Sequence, residues 1–398
     1  MIEYINKLSN DLSEYNLQKY WPMFQSVAYA LYTNEFVYLF NHPLMEADQE
    51  ITYKMIQWDD SFTGNTLILY EEYPTAILYV GDEDRYEDVF SVLVHELFHG
   101  FQYEKGEKRF PDEVLGMTFT KENIGIRYQE RMALYQAVTG CDQNSRLQNV
   151  KAFIALREKR RANYHEYVQY ESCLETVEGP AFYVELKAFA EKSTMDKQAI
   201  LNKYGENLNQ VYESTANIRK SCYSSGLFIC LLLDDYDPYW KDRFWDHEKT
   251  VFHQLKACFN DDQAAQSLQK NVEVENVIET INRSKKEVIE GYEQRKGHHL
   301  IIEGNIKVES FDPMNITVFE NKLLHENFLK IKVNNTSYLL REPVITYYQD
   351  EIHRINKLLI SLKSPPIEKK NALLLADIGE LEGKYEKKGT TYHVLVSS

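Results

Sequence analysis

Five consecutive residues, His95-Glu96-Leu97-Phe98-His99, bring together the side chains that metal-assisted hydrolysis needs. Residues four apart on an α-helix share a face, so His95 and His99 can aim their imidazoles at one point. Neutral imidazole nitrogen is a good zinc ligand, and two at this spacing match the histidine pair of a zinc hydrolase. Glu96 is rotated roughly a third of a turn from His95. It can therefore stay off the metal and still reach a metal-activated water, where a general base must stand. Val92, Leu93, Val94, Leu97, Phe98 and Phe101 wrap the rest of the helix, so it is expected to be buried. A buried helix carrying two histidines and a glutamate needs a reason to tolerate them. A chance match would fall as readily on an exposed, charged segment.

Two later segments carry further chemistry: Glu178-Gly-Pro-Ala-Phe-Tyr183 and Tyr223-Ser-Ser-Gly226. A strand-like stretch at Thr75–Val80, the HExxH helix and a long helical region after it resemble the zincin metallopeptidases. The Glu178 segment is similar to the E-G-x-A-x-Y segment of aminopeptidase-type gluzincins, whose first Glu is the third zinc ligand. The Tyr223 segment resembles the Y-x-x-G of the same group, whose tyrosine stabilises the tetrahedral oxyanion. The resemblance covers about residues 65–235 and implies zinc held by His95, His99 and Glu178, with Glu96 and Tyr223 as catalytic groups. The metzincin third histidine is absent, since position 105 is Lys, and no G-x-M-E-N segment is present to hold a substrate amino group. The position four after Glu178, commonly Asp in the family, is Phe182.

From the residues alone, other carboxylates compete with Glu178. Glu130 lies 31 residues after His99, and Glu171 and Glu175 share the helical stretch of Glu178. Glu175 reads as a surface carboxylate, and Glu130, if not a ligand, could orient a ligand histidine. Pro180 directly after Gly179 disfavours a continuous helix and places Glu178 at a kink or a first turn. The acidic turn Gly81–Asp84 suits the positive end of the following helix dipole.

Composition narrows the alternatives. The net charge is 45 − 61 = −16 over 398 residues, which argues against a nucleic-acid binder. The run Arg157–Arg161 reads as a solvated helix face. No secretory pattern opens the chain, and the longest apolar run, Gly226–Leu233, is too short to span a bilayer, so a cytoplasmic protein without membrane contact is expected. Cys173, Cys222, Cys230 and Cys258 lie in helix-like apolar contexts and read as reduced, buried thiols. The sequons at Asn315, Asn334 and Asn335 are then silent. His165, His247 and His253 have no partner at metal spacing and read as ordinary histidines, and His298 and His299 receive no role.

The expected fold is α+β, with a zincin-like core of mixed sheet followed by helices and a β-rich carboxy-terminal domain. The expected regions are 1–90 (α/β with a sheet edge), 91–297 (helical, zinc-binding, catalytic) and 298–398 (β-rich). An exposed edge at Thr75–Val80 would pair with an extended peptide. The expected function is a zinc metallopeptidase acting on a peptide or protein substrate. A zinc hydrolase of a non-peptide substrate is the alternative. A non-catalytic binding protein of the same fold is a third reading, and intact Glu96 argues against it.

Overall fold

The computed structural model describes residues 2–12, 17–45, 53–81, 84–111, 120–245, 249–259, 273–348 and 354–396. The chain divides into two compact units, Met1–Val274 and Glu275–Ser398. The sheet and the helices expected as separate regions thus share one unit, and the boundary falls well before residue 298.

The first unit opens with helix α1 (Ile2–Asp11) and a five-stranded sheet of β1 (Ala28–Tyr32), β2 (Phe36–Phe40), β3 (Lys54–Gln57), β4 (Thr66–Tyr70) and β5 (Tyr73–Tyr79). Its order is β3-β2-β1-β5-β4, with β1 and β5 parallel and the other pairs antiparallel. The Thr75–Val80 segment is therefore not an edge: β5 lies between β1 and β4, and the exposed edge on that side is β4. Its unbroken apolar run fits a strand covered on both faces. Tyr29, Leu31, Ala76 and Leu78 face the main core, while Ala30, Tyr32 and Ile77 face a second cluster closed by Phe62.

Helix α2 (Tyr86–Glu104) carries the HExxH residues, and the apolar residues around them are buried as their periodicity requires. Glu87 and Asp88 occupy its first turn, where the helix dipole favours them. Residues 82 and 83 of the acidic turn lie outside the described residues. Next come α3 (Lys121–Thr139), α4 (Gln143–Asn163) and α5 (His165–Lys192). The series ends with α6 (Lys197–Asn209), α7 (Val211–Ala216), α8 (Ile218–Tyr236) and α9 (Val251–Ala257). Thr120, Asp142, Asp196 and Thr250 cap α3, α4, α6 and α9 through their side chains, satisfying amides the helices leave open.

Pro180 does not end α5, which runs through it for 28 residues with Glu178 in mid-helix. The cost of an interior proline is offset by the burial of its surroundings, from Leu174 to Tyr183. At this point α5 crosses α8 backbone to backbone. A Cβ on Gly179 would stand 2.6 Å from the Gly226 main chain, and one on Gly226 would stand 2.5 Å from the Glu175 carbonyl oxygen. Neither contact can be relieved by rotating a side chain. The two glycines of the Glu178 and Tyr223 segments are thus what lets α8 lie close enough to set Tyr223 beside Glu178.

The second unit is β-rich. Strands β6 (His298–Phe311), β7 (Ile316–Phe319), β8 (Lys322–His325), β9 (Leu329–Val333), β10 (Thr336–Leu340), β11 (Val344–Tyr348) and β12 (Arg354–Leu362) join two later strands, Lys384–Lys388 and Thr391–Leu395, in one nine-stranded sheet. A three-stranded sheet accompanies it. Helix α10 (Glu273–Glu293) packs Ile289 and Tyr292 against Leu324, Ile345 and Leu359 of these strands, so it belongs with them rather than with the helices before it. Among the described residues no helix is long and apolar enough to cross a membrane. All five cysteines are free: Cys222 and Cys230 are buried as expected, but Cys141 and Cys258 are exposed and Cys173 is half-buried.

Candidate metal centre

Helices α2, α5 and α8 bring the sequence-expected residues to one place. His95 Nε2 and His99 Nε2 are 3.0 Å apart, and Glu178 Oε2 lies 3.1 Å from the His99 nitrogen and 3.6 Å from the His95 nitrogen. Ligand atoms about 2.0–2.2 Å from a tetrahedral centre stand roughly 3.3–3.6 Å from one another, so these separations suit zinc with little adjustment. All three residues form a group able to hold a metal ion.

The surroundings of the histidines point to Nε2 as the nitrogen each presents to the group. The Gln102 Nε2 amide donates to the Val177 carbonyl at 2.7 Å, so Gln102 Oε1 must be the atom 2.7 Å from His99 Nδ1. An oxygen there accepts a proton from Nδ1 and leaves His99 Nε2 as a lone pair. His95 Nδ1 also faces an acceptor, Glu185 Oε2 at 2.9 Å, close in distance though off the line of an N–H hydrogen bond. Two imidazole Nε2 atoms and a carboxylate oxygen therefore converge. Glu178 Oε2 is buried and has no aligned hydrogen-bond donor. A proton between the histidines would relieve one contact, whereas a dication relieves all three.

The charges respond accordingly. Burial works against an imidazolium at His95, yet Glu178 and Glu185 hold its pKa up at about 10. Burial alone would raise the Glu178 carboxyl, but His99, His95 and Arg219 hold it well below the carboxylate range. Arg219, on the first turn of α8, reaches the other Glu178 oxygen at 3.1 Å. Glu96 is 7% exposed, and burial raises its carboxyl above the usual range despite the two histidines nearby. Tyr223 lies nearly parallel to the His95 ring, 5.9 Å between centroids. Burial first, then the Glu178 carboxylate, hold its phenol far above its ordinary value, so it keeps its O–H as a donor.

Glu130 is not part of this group. It lies fully buried among Arg131, Arg157 and Arg160 at 3.2, 2.7 and 2.9 Å, and it orients neither histidine. Glu171 and Glu175 are held by the same arginines and by Arg127, so Glu175 is a core carboxylate and not a surface one. Arg157 and Arg160 are 0% exposed, which overturns the solvated-face reading for these two, while Lys159 between them is exposed. Cys222 Sγ lies within 4.8 Å of carboxylate oxygens of Glu171 and Glu175, a second group that could hold a metal, but the arginines already occupy both carboxylates. Burial pushes the Cys222 thiol up to about 12, so it stays protonated. His253 pairs with Thr250 and Arg161, as an ordinary histidine would, and His247 lies outside the described residues.

Gln102 and Glu185 escaped the sequence reading. Gln102 stands three residues after His99 and Glu185 seven after Glu178, each on the face of its helix that carries the ligand. That spacing was the available signal. Compared with known proteins, the chain matches no family model, no curated protein and no solved structure.

The ligand assignment makes a direct prediction. Glu178→Gln should release zinc to a mild chelator far more readily than the unaltered protein. Glu130→Gln should leave zinc affinity close to the original while lowering the melting temperature. Equal zinc loss in both variants would contradict the assignment.

Proposed function

We propose that this chain is a zinc-dependent hydrolase of amide bonds, a peptidase with a zincin-like core, in which His95, His99 and Glu178 hold the metal. The observation that carries the reading is the convergence of three ligand atoms at near-tetrahedral spacing, with an acceptor oxygen beside each Nδ1. When bound, zinc supplies a Lewis acid that polarises the scissile carbonyl and acidifies the attacking water. Glu96 takes the water's proton and delivers it to the leaving amine, a task suited to a carboxyl kept buried beside the ligands. Tyr223 donates its O–H to the developing oxyanion. His99 and Tyr223 are half-buried, and substrate would enter from the side on which they reach solvent. Strand β4, not β5, is a sheet edge among the described residues and would pair with an extended peptide.

Incubating the zinc-loaded protein with a peptide mixture should produce new termini detectable by mass spectrometry. A chelator should stop their formation and added zinc should restore it. Zinc-loaded protein that leaves every peptide intact yet hydrolyses small amides or esters would move the reading to the non-peptide alternative.

A further inference from the structure

We propose that Glu185 is the positioning residue of the metal centre: it locks His95 in the tautomer and orientation that present Nε2 to the metal. This rests on the metal reading above and adds a residue that the motif resemblance does not include.

The argument begins with helix geometry. Glu178 and Glu185 are seven residues apart on α5, about two turns, so their side chains leave the same face. The His95 ring lies between them, with Glu178 Oε2 3.6 Å from Nε2 and Glu185 Oε2 2.9 Å from Nδ1. One helix therefore addresses both nitrogens of one imidazole, the first carboxylate as co-ligand and the second as proton acceptor. A carboxylate at Nδ1 favours N–H there, so Nε2 is the nitrogen left to bind the metal once its own proton is released.

Glu185 is itself held. The Tyr204 hydroxyl on α6 donates to its other oxygen at 3.1 Å, so neither oxygen is free to swing toward solvent. Tyr204 is in turn fixed, since its ring packs on Phe182 at 4.8 Å and Ser224 of α8 donates to its carbonyl at 2.7 Å. Phe182 occupies the position four after Glu178 and holds no proton acceptor. The acceptor for His95 thus comes from one turn further along α5. His99 has its own acceptor in Gln102 and Glu178 its own donor in Arg219, so each of the three ligands has a separate partner.

The test compares zinc affinity, by chelator competition, for the unaltered protein and for Glu185→Ala, Glu185→Gln and Tyr204→Phe, with melting temperatures taken metal-free. Glu185→Ala should weaken zinc binding by about ten- to a hundredfold. Glu185→Gln can still turn an amide oxygen to His95 Nδ1 and should recover most of that loss. Tyr204→Phe removes the support but not the acceptor, and its affinity should stay within a few fold. The cobalt-substituted Glu185→Ala protein should show a shifted visible spectrum, a change that a purely structural role would not produce. Zinc affinity in Glu185→Ala within twofold of the original, with the original binding zinc tightly, overturns the proposal alone. Equal weakening in the Ala and Gln variants also overturns it, because orientation would then not be the cause. If Glu185→Ala does not fold, Glu185→Gln against Glu185→Asp, whose shorter arm cannot reach Nδ1, makes the same comparison. An unaltered protein that binds no zinc overturns both this proposal and the reading beneath it.

Discussion

Glu96→Gln is expected to keep zinc and the fold while lowering turnover by on the order of a hundred- to ten-thousandfold. Glutamine matches glutamate in shape, and Glu96 is only 7% exposed, so the side chain has little room to relocate. Burial already disfavours its charged form, and a neutral amide at this position should not destabilise the protein. The amide nitrogen and oxygen cannot accept a proton at neutral pH, and that alone should be lost. Chelator competition and single-turnover peptide hydrolysis on the same preparation separate the two effects. A Glu96→Gln protein retaining most of its activity with zinc bound would mean that another group moves the proton.

Arg157→Met is expected to destabilise the first unit by about 3–5 kcal/mol, the usual result of removing one partner from a buried ion pair. Arg157 reaches Glu130 at 2.7 Å and Glu175 at 2.8 Å, all three side chains being 0% exposed. Its guanidinium lies 5.2 Å from the Phe153 ring centre and 5.1 Å from that of Phe252. Without it, two carboxylates remain buried and short of donors. A surface pair such as Lys286–Glu290, with both side chains about half exposed, should change stability by less than about 1 kcal/mol when broken. The same cluster sets an acid limit. The arginines hold Glu130 at about 2, Glu171 well below its usual range and Glu175 below it, even though burial opposes this in each. Carboxyls depressed in the folded state stabilise it above their unfolded pKa, and that contribution is lost as pH falls through the folded value. Stability should therefore be flat above about pH 5 and fall steadily below about 4.5 toward 2. Denaturant titrations across that range would measure it, and the slope should be shallower in Arg157→Met. A stability that does not change between pH 5 and 3 would contradict the cluster's ionised state.

What could be read from the residues divides by distance along the chain. His95, Glu96 and His99 lie within one helical turn, and their spacing alone determines that they share a site. Glu178 stands 79 residues beyond His99, and only the resemblance of its segment pointed to it. Arg157 and Arg160 give no local sign of burial, because the pattern of a basic helix is the same whether it faces water or acid. Their partners, Glu130 and Glu171 among them, come from neighbouring helices. Charges three or four apart on three successive helices, as in Arg127-Glu130-Arg131, Arg157-Arg160 and Glu171-Glu175, were the sign of one shared charged face. The Thr75–Val80 strand was placed at an edge although its unbroken apolar run suits an interior strand. Pro180 does not break its helix, because tertiary packing overrides a local preference of about 3 kcal/mol in a helix this well buried.

Elemental analysis of zinc in the purified chain, after reconstitution and removal of excess metal, tests the central claim most directly. The account predicts about one zinc per chain, and none retained after the same treatment in His95→Ala or His99→Ala protein that is otherwise folded. Folded, unaltered protein that emerges from reconstitution without zinc would contradict it.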